Sequence, residues 1–242
     1  MKRSSSALLF SLFAISGGAH AQSANQWMLN AGWIHLAPQD SSQPLTVNAL
    51  GASTTVPGSG AAVSDADTFA VTATYFVTDH VAVETLLGVP PKLQLSGTGS
   101  LAALGNLASA RVWSPAILAQ YHFGEPTARL RPYVGAGVTY VWFKNIELNS
   151  PIATGQFLAS PTLGAKLEGP TSVSLSSSLA PIVNAGLTYN VNSHWSVGVS
   201  VSYAWLSTRA TLTTRSSLGT VTSSTKLKID PIVSFVSVGY RF

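Results

Sequence analysis

Side chains capable of covalent or acid–base chemistry are few in this sequence and lie far apart. There is no cysteine, so thiolate catalysis, disulfides and cysteine-ligated metals are excluded. The five histidines, His20, His35, His80, His122 and His194, show none of the short spacings that bring two imidazoles to one metal ion. A hydrolase needs a serine and a histidine as neighbours with an acid behind them. His80 and His194 fall in short turn-like stretches and His35 near the end of a segment, so no such trio assembles. Only His122 shares its surroundings with other polar groups. Glu84, Gln120, His122, Arg131 and Arg241 are polar or charged residues at alternate positions of otherwise apolar segments. Such a set can hydrogen-bond and pair charges but supplies no nucleophile. We expect no enzyme, no metal and no cofactor.

The elements that must hold these residues have a period of two. Trp27, Leu29, Ala31 and Trp33 recur at odd positions, as do Phe69, Val71, Ala73 and Tyr75. The clearest run is Trp195, Val197, Val199, Val201, Tyr203 and Trp205, set against Ser196, Gly198, Ser200 and Ser202. The same alternation occurs around residues 81–89, 116–123, 134–142, 183–189 and 236–242. Apolar residues repeating at 180° mark strands with one apolar face, and eight are expected.

Composition and connections say what that face meets. Only 9% of residues are charged, against about 25% in ordinary soluble domains. Apolar residues are abundant, yet beyond the N-terminus no run is long enough for a spanning helix. Lys2 and Arg3, the apolar run from Ala7 to Ile15, and the small-residue site Ala19-His20-Ala21 have the layout of a secretory signal peptide, residues 1–21, with cleavage expected before Gln22. The connections alternate strictly. Short ones at 78–80, 124–129 and 190–194 separate long ones, rich in Ser, Thr, Gly and Ala, at about 39–66, 91–110, 146–177 and 207–225. An up-and-down membrane barrel with short periplasmic turns and long extracellular loops has this order. The expected fold is therefore an eight-stranded antiparallel transmembrane β-barrel over residues 22–242, in the outer membrane of a Gram-negative bacterium. The net charge of +4 comes from scattered single residues, which does not make a nucleic-acid patch.

Parity then assigns the faces. The aromatics lie on the all-apolar face and near strand ends, as two interfacial girdles require, so that face is turned to lipid. Glu84, Gln120, His122, Arg131 and Arg241 point into the lumen near its periplasmic end. Because a buried lone charge is costly, Glu84 is expected to pair with Arg131 or Arg241. Leu86, Leu118 and Leu206 point inward higher up, around an apolar cavity.

Several stretches resemble the OmpW family of small outer-membrane barrels. They are Ala73-Thr74-Tyr75-Phe76-Val77-Thr78-Asp79 leading into Val83-Glu84, Gln120-Tyr121-His122-Phe123, and Arg131-Pro132-Tyr133-Val134-Gly135-Ala136-Gly137. Ala185-Gly186-Leu187-Thr188-Tyr189, and Asp230-Pro231 with the terminal Gly239-Tyr240-Arg241-Phe242, are also similar to it. The resemblance covers the strands from Trp27 to Phe242 and none of the long loops. It implies passage of small hydrophobic molecules through a narrow, largely apolar lumen. Some members of that family carry a bulky aromatic where this chain has Ser202, which implies a lumen constriction that is wider or elsewhere. The alternative is an adhesion barrel acting through its loops around a filled lumen. The terminal strand, with Val236, Val238, Tyr240 and Phe242 on one face, resembles the signal by which such barrels are recognised for insertion. Its partners are then the barrel assembly machinery, outer-membrane lipid and small hydrophobic solutes.

Proline adds one expectation. Pro38, Pro90, Pro115, Pro181 and Pro231 lie in five different strands. Each is about 8 to 11 residues from the periplasmic rim, hence roughly 20–28 Å up a tilted strand. Proline removes a ladder hydrogen bond. Either the strands end there, or a belt of weak pairing opens sideways to lipid, with Pro90 and Pro115 as the portal.

Overall fold

The computed structural model describes residues 23–159 and 165–242. The segment read as a signal peptide lies outside them. Eight strands build the barrel: β1 (Trp27–Ala37), β2 (Ala66–Phe76), β3 (Val81–Gly88), β4 (Ala116–His122), β5 (Leu130–Leu148), β6 (Ser178–Asn190), β7 (Trp195–Ala204) and β8 (Ile232–Arg241). Each pairs antiparallel with its neighbour in sequence, and β8 returns to β1 with Ala31 opposite Val238, so the sheet closes. Closure leaves the barrel wall without a free edge inside the hydrocarbon, where an unpaired backbone group costs several kcal/mol.

The period-two pattern is turned inside out relative to a soluble sheet. On β7, Val197, Val199 and Val201 are exposed while Ser196 is 2% exposed. The apolar face meets lipid and the small polar face fills the lumen. The aromatics gather at two levels. Trp27 lies on Tyr75 (4.9 Å), and Tyr240 meets Trp195 and Phe242 edge-on (5.0 Å each) at the periplasmic end. Tyr203 meets Trp205, and Trp113 stacks on Trp142 at 5.7 Å, at the opposite end. The short turns are set by local side-chain acceptors. Thr78 Oγ1 accepts from the amide of Val81 (2.9 Å), and Asn192 Oδ1 from the amides of His194 and Trp195 (2.9 and 2.8 Å), closing the chain in the manner of ST and Asx turns.

The long connections are not loops throughout. The upper half of β5 leaves the barrel and pairs with Asn106–Trp113, which continues to Lys92–Gly99 and Ser59–Val63. A second sheet joins Thr171–Leu175, Ser207–Ser216, Gly219–Lys228, Thr46–Ala49 and Ala52–Thr55. The two sheets turn apolar faces toward a shared core containing Ala61, Leu107, Ile152, Ala210 and Leu227. The barrel therefore carries a folded extracellular cap.

Candidate functional site

The floor of the lumen is a hydrogen-bonded chain of side chains from β2, β3 and β4. Thr74 donates to Glu84 Oε2 (2.9 Å) and Gln120 Nε2 donates to Glu84 Oε1 (2.9 Å). The Gln120 amide oxygen is thereby left to accept from His122 Nε2 (3.1 Å), which places the imidazole proton on Nε2. The His122 ring stacks on Tyr133 (4.9 Å) and meets Phe76 edge-on (4.9 Å). Tyr133 itself lies across Gly186, its cross-strand partner, where any Cβ would collide with the ring.

Glu84 does not form the ion pair expected with Arg131 or Arg241. Both of its oxygens are held by neutral donors one layer above the arginines. Arg131, fully buried, reaches down to the carbonyl oxygens of Asp79 (2.7 Å) and Gly124 (3.3 Å). Arg241 donates to Ser193 O (3.1 Å) and Asn190 Oδ1 (2.7 Å). Turn carbonyls, collected at the strand ends without their own donors, capture the guanidinium groups and leave the carboxylate to the layer above. The geometry sets a stability prediction. Glu84→Gln keeps an acceptor for Gln120 and is expected to cost under about 1 kcal/mol, whereas Glu84→Ala strands two buried donors at about 1–3 kcal/mol. Urea unfolding followed by gel mobility reads both. A loss of about 3–5 kcal/mol in Glu84→Gln, as for a broken buried ion pair, would restore the ion-pair reading.

Above the floor the lumen holds an apolar cavity. This cavity of about 100 Å³ rests on Glu84 and Asn184 and is walled by Ile34, Leu86, Leu118 and Phe235. A second cavity of about 110 Å³ lies between the two extracellular sheets, lined by residues such as Leu95, Leu107, Phe157 and Leu212. Leu93, Val112, Phe143 and Ile229 line both. With Val141, Ala180 and Leu206 they form one buried apolar cluster, a collar separating the chambers. Ser202 lines the lower chamber beneath that collar. Leu86, Leu118 and Leu206 thus lie together in the apolar wall.

The five prolines do not weaken the wall equally. Pro181 O accepts from Trp205 N (3.1 Å) and Pro231 O from Ala204 N (3.3 Å), while Gln39 N, next to Pro38, donates to Ile229 O (2.9 Å). The ladder stays closed there. Between β3 and β4 it opens. The last barrel pair is Leu86 with Ala116, and pairing resumes at Lys92 with Arg111. One strand advances six residues over that interval and the other five, so the two ladders are out of register by one. Pro90, Pro91 and Pro115 occupy the interval, bridged by Val112 N donating to Pro91 O (3.0 Å) and Arg111 Nη1 to Pro90 O (3.2 Å). The lower chamber reaches Gly88, Val89 and Ser114 at this gap, and Leu87 and Trp113 are exposed on its outer side. A gap lined by prolines has fewer N–H donors to orphan in lipid, so it is cheaper to keep open than one between ordinary residues.

Sequence reasoning missed most of the collar. Leu206 alone of it is an expected inward position, while Ile34 and Phe235, in the wall of the lower chamber, are legible as inward positions by parity. Leu93, Val112 and Ile229 come from stretches that read as loop or strand end, where the only signal was a short alternation such as Leu93-Gln94-Leu95.

The family model described as "OmpW family" matches residues 23–242. Outer membrane protein W of Salmonella typhi is 30% identical over 242 residues, covering 100% of both chains. Outer membrane protein AlkL of Ectopseudomonas oleovorans is 29% identical over 189 residues, 77% of this chain and 71% of that one. Among solved structures, the outer membrane protein OprG from Pseudomonas aeruginosa superposes with a TM-score of 0.77 at 26% identity, covering 92% of this chain and 98% of that one.

Proposed function

This chain belongs to the OmpW family of outer-membrane β-barrels, and from that premise we propose that it conducts small hydrophobic molecules from the cell exterior into the outer membrane. The observation that carries the reading is the pair of apolar chambers stacked on either side of one collar whose residues line both. A solute enters the extracellular cap, where each methylene removed from water stabilises it by about 0.8 kcal/mol. It then passes the collar into the barrel. The way down is barred by Glu84, Gln120, His122 and the two arginines, whose hydrogen bonds would have to break. The way sideways, through the gap at Pro90 and Pro115, leads to hydrocarbon at little cost in transfer energy. An apolar cavity inside the lumen also favours this reading over an adhesion barrel built around a filled one.

Two collar substitutions test this. Leu206→Ala removes bulk and Ala180→Phe adds it, and both are expected to destabilise the fold, by about 2–5 and 1–3 kcal/mol respectively. Their effects on transport oppose each other. Uptake of an n-alkane into proteoliposomes should rise in Leu206→Ala and fall in Ala180→Phe. If both rates fall together, or neither moves, the collar is not on the path.

A further inference from the structure

Beside the gap, three cations stand side by side on the outer face of the cap. Lys92 is directly opposite Arg111, and Arg111 directly opposite Lys144, on three adjacent strands. All three are exposed. Directly opposed residues have Cβ atoms about 4.5–5.5 Å apart, and like charges in that position repel. The chain carries only 13 lysines and arginines in all, so three in one row is a concentration of charge. One carboxylate answers them. Glu147 binds Lys92 Nζ at 2.7 Å and accepts from Ser109. The Lys92 hydrogen bond and charge hold the Glu147 carboxyl below the usual carboxylate range, and Arg111 adds to this more weakly. Among the described residues no ion pair is made by Arg111 or Lys144.

A second observation fixes the height of the row. Trp113 and Trp142 lie two residues below Arg111 and Lys144 on the same strands, opposite one another and stacked almost parallel at 5.7 Å (8°). Two residues of strand span about 6–7 Å. Stacked indoles on the lipid face mark the membrane–water interface, so the cations lie one step outside it, at the depth of the headgroups. We propose that Lys92, Arg111 and Lys144 form a binding site for the phosphate groups of a phosphorylated outer-leaflet glycolipid, which docks its acyl chains against Trp113 and Trp142. An anion there removes the repulsion along the row, and the guanidinium of Arg111 offers a phosphate paired donors. The proposal rests on the membrane placement of the barrel and not on solute traffic, so lipid binding and uptake can fail independently.

The folded full-length barrel in mild detergent, mixed with bisphosphorylated lipid A and weighed by native mass spectrometry, tests this. Wild type should retain the bisphosphorylated lipid and release its dephosphorylated form. The double substitution Arg111→Ala with Lys144→Ala should weaken retention about twenty-five-fold, at roughly fivefold per cation, with the folded gel mobility unchanged. Lys166→Ala, at an exposed cation on the far part of the cap, should bind as wild type. Equal retention of the dephosphorylated lipid, or wild-type retention by the double variant, overturns the site. Competition by millimolar inorganic phosphate as effective as that by the lipid assigns the row to free phosphate and overturns the lipid assignment.

Discussion

Replacing Pro90 and Pro115 together by valine is expected to slow release of an n-alkane into the bilayer about tenfold while the barrel stays folded. The two residues border the one interval of the β3–β4 seam where the ladder is interrupted. Val89 N already donates to Phe69 O on the β2 side, so valine at 90 restores an N–H on the β4 side. A restored hydrogen bond there contributes about 0.5–1.5 kcal/mol. Pro115 O accepts from Tyr140 N (3.1 Å), so valine at 115 restores its N–H on the β5 side and relieves only the ring's steric constraint at the seam. The bond at position 90 raises the cost of parting the seam by an amount that at its upper end corresponds to roughly one decade in rate. The one-residue slip between the two ladders limits the gain, because a bulge must remain. Heat-modifiability should hold or improve, which separates a closed portal from a damaged fold. The same substitution at Pro181, whose carbonyl already accepts from Trp205, should leave the rate unchanged. Undiminished uptake in the double variant, with the barrel folded, would remove the side exit and leave the lumen floor as the route.

The barrel was legible because its physics is written at period two. Val197, Val199 and Val201 against serine and glycine leave no other reading of β7, and the alternation of short and long connections supplies the topology. Parity likewise placed Glu84, Gln120, His122, Arg131 and Arg241 inside, and the structure buries all five. What parity cannot supply is height. Glu84 and Arg131 share a face and an end, yet the strand tilt sets them in different layers, and the turn carbonyls that hold Arg131 have no sequence signature. The unevenness of the proline belt has a related reason. A missing N–H matters only where the neighbouring strand has nothing else to offer, and that depends on register across the seam. The cap was the largest omission. Its strands alternate Ser or Thr with Ala, Val or Leu, as in Val173-Ser174-Leu175 and Ala210-Thr211-Leu212. The contrast between the two faces is too small there to stand out from a polar loop.

Deleting Phe242 is expected to lower the amount of folded barrel in outer-membrane fractions by about an order of magnitude. The equilibrium loss is too small to account for that. Phe242 N donates to Trp27 O (3.0 Å) and its ring meets Tyr240 edge-on at 5.0 Å, interactions of about 1 kcal/mol each. A fold stabilised by about 5–15 kcal/mol tolerates losing both. A large fall in yield must then arise before folding is complete, when Val236, Val238, Tyr240 and Phe242 present one apolar face to whatever inserts the chain. The substitutions separate the two explanations. Phe242→Tyr keeps the ring and the amide and should assemble as wild type. Phe242→Ala keeps the backbone bond to Trp27 but loses the ring, and should fall nearly as far as the deletion. Refolding the purified deletion variant into short-chain lipid vesicles should recover most of the heat-modifiable form, since no assembly partner is needed there. If the deletion refolds as poorly in vesicles as it assembles in cells, the terminal phenylalanine acts by closing β8 onto β1 and not as a signal.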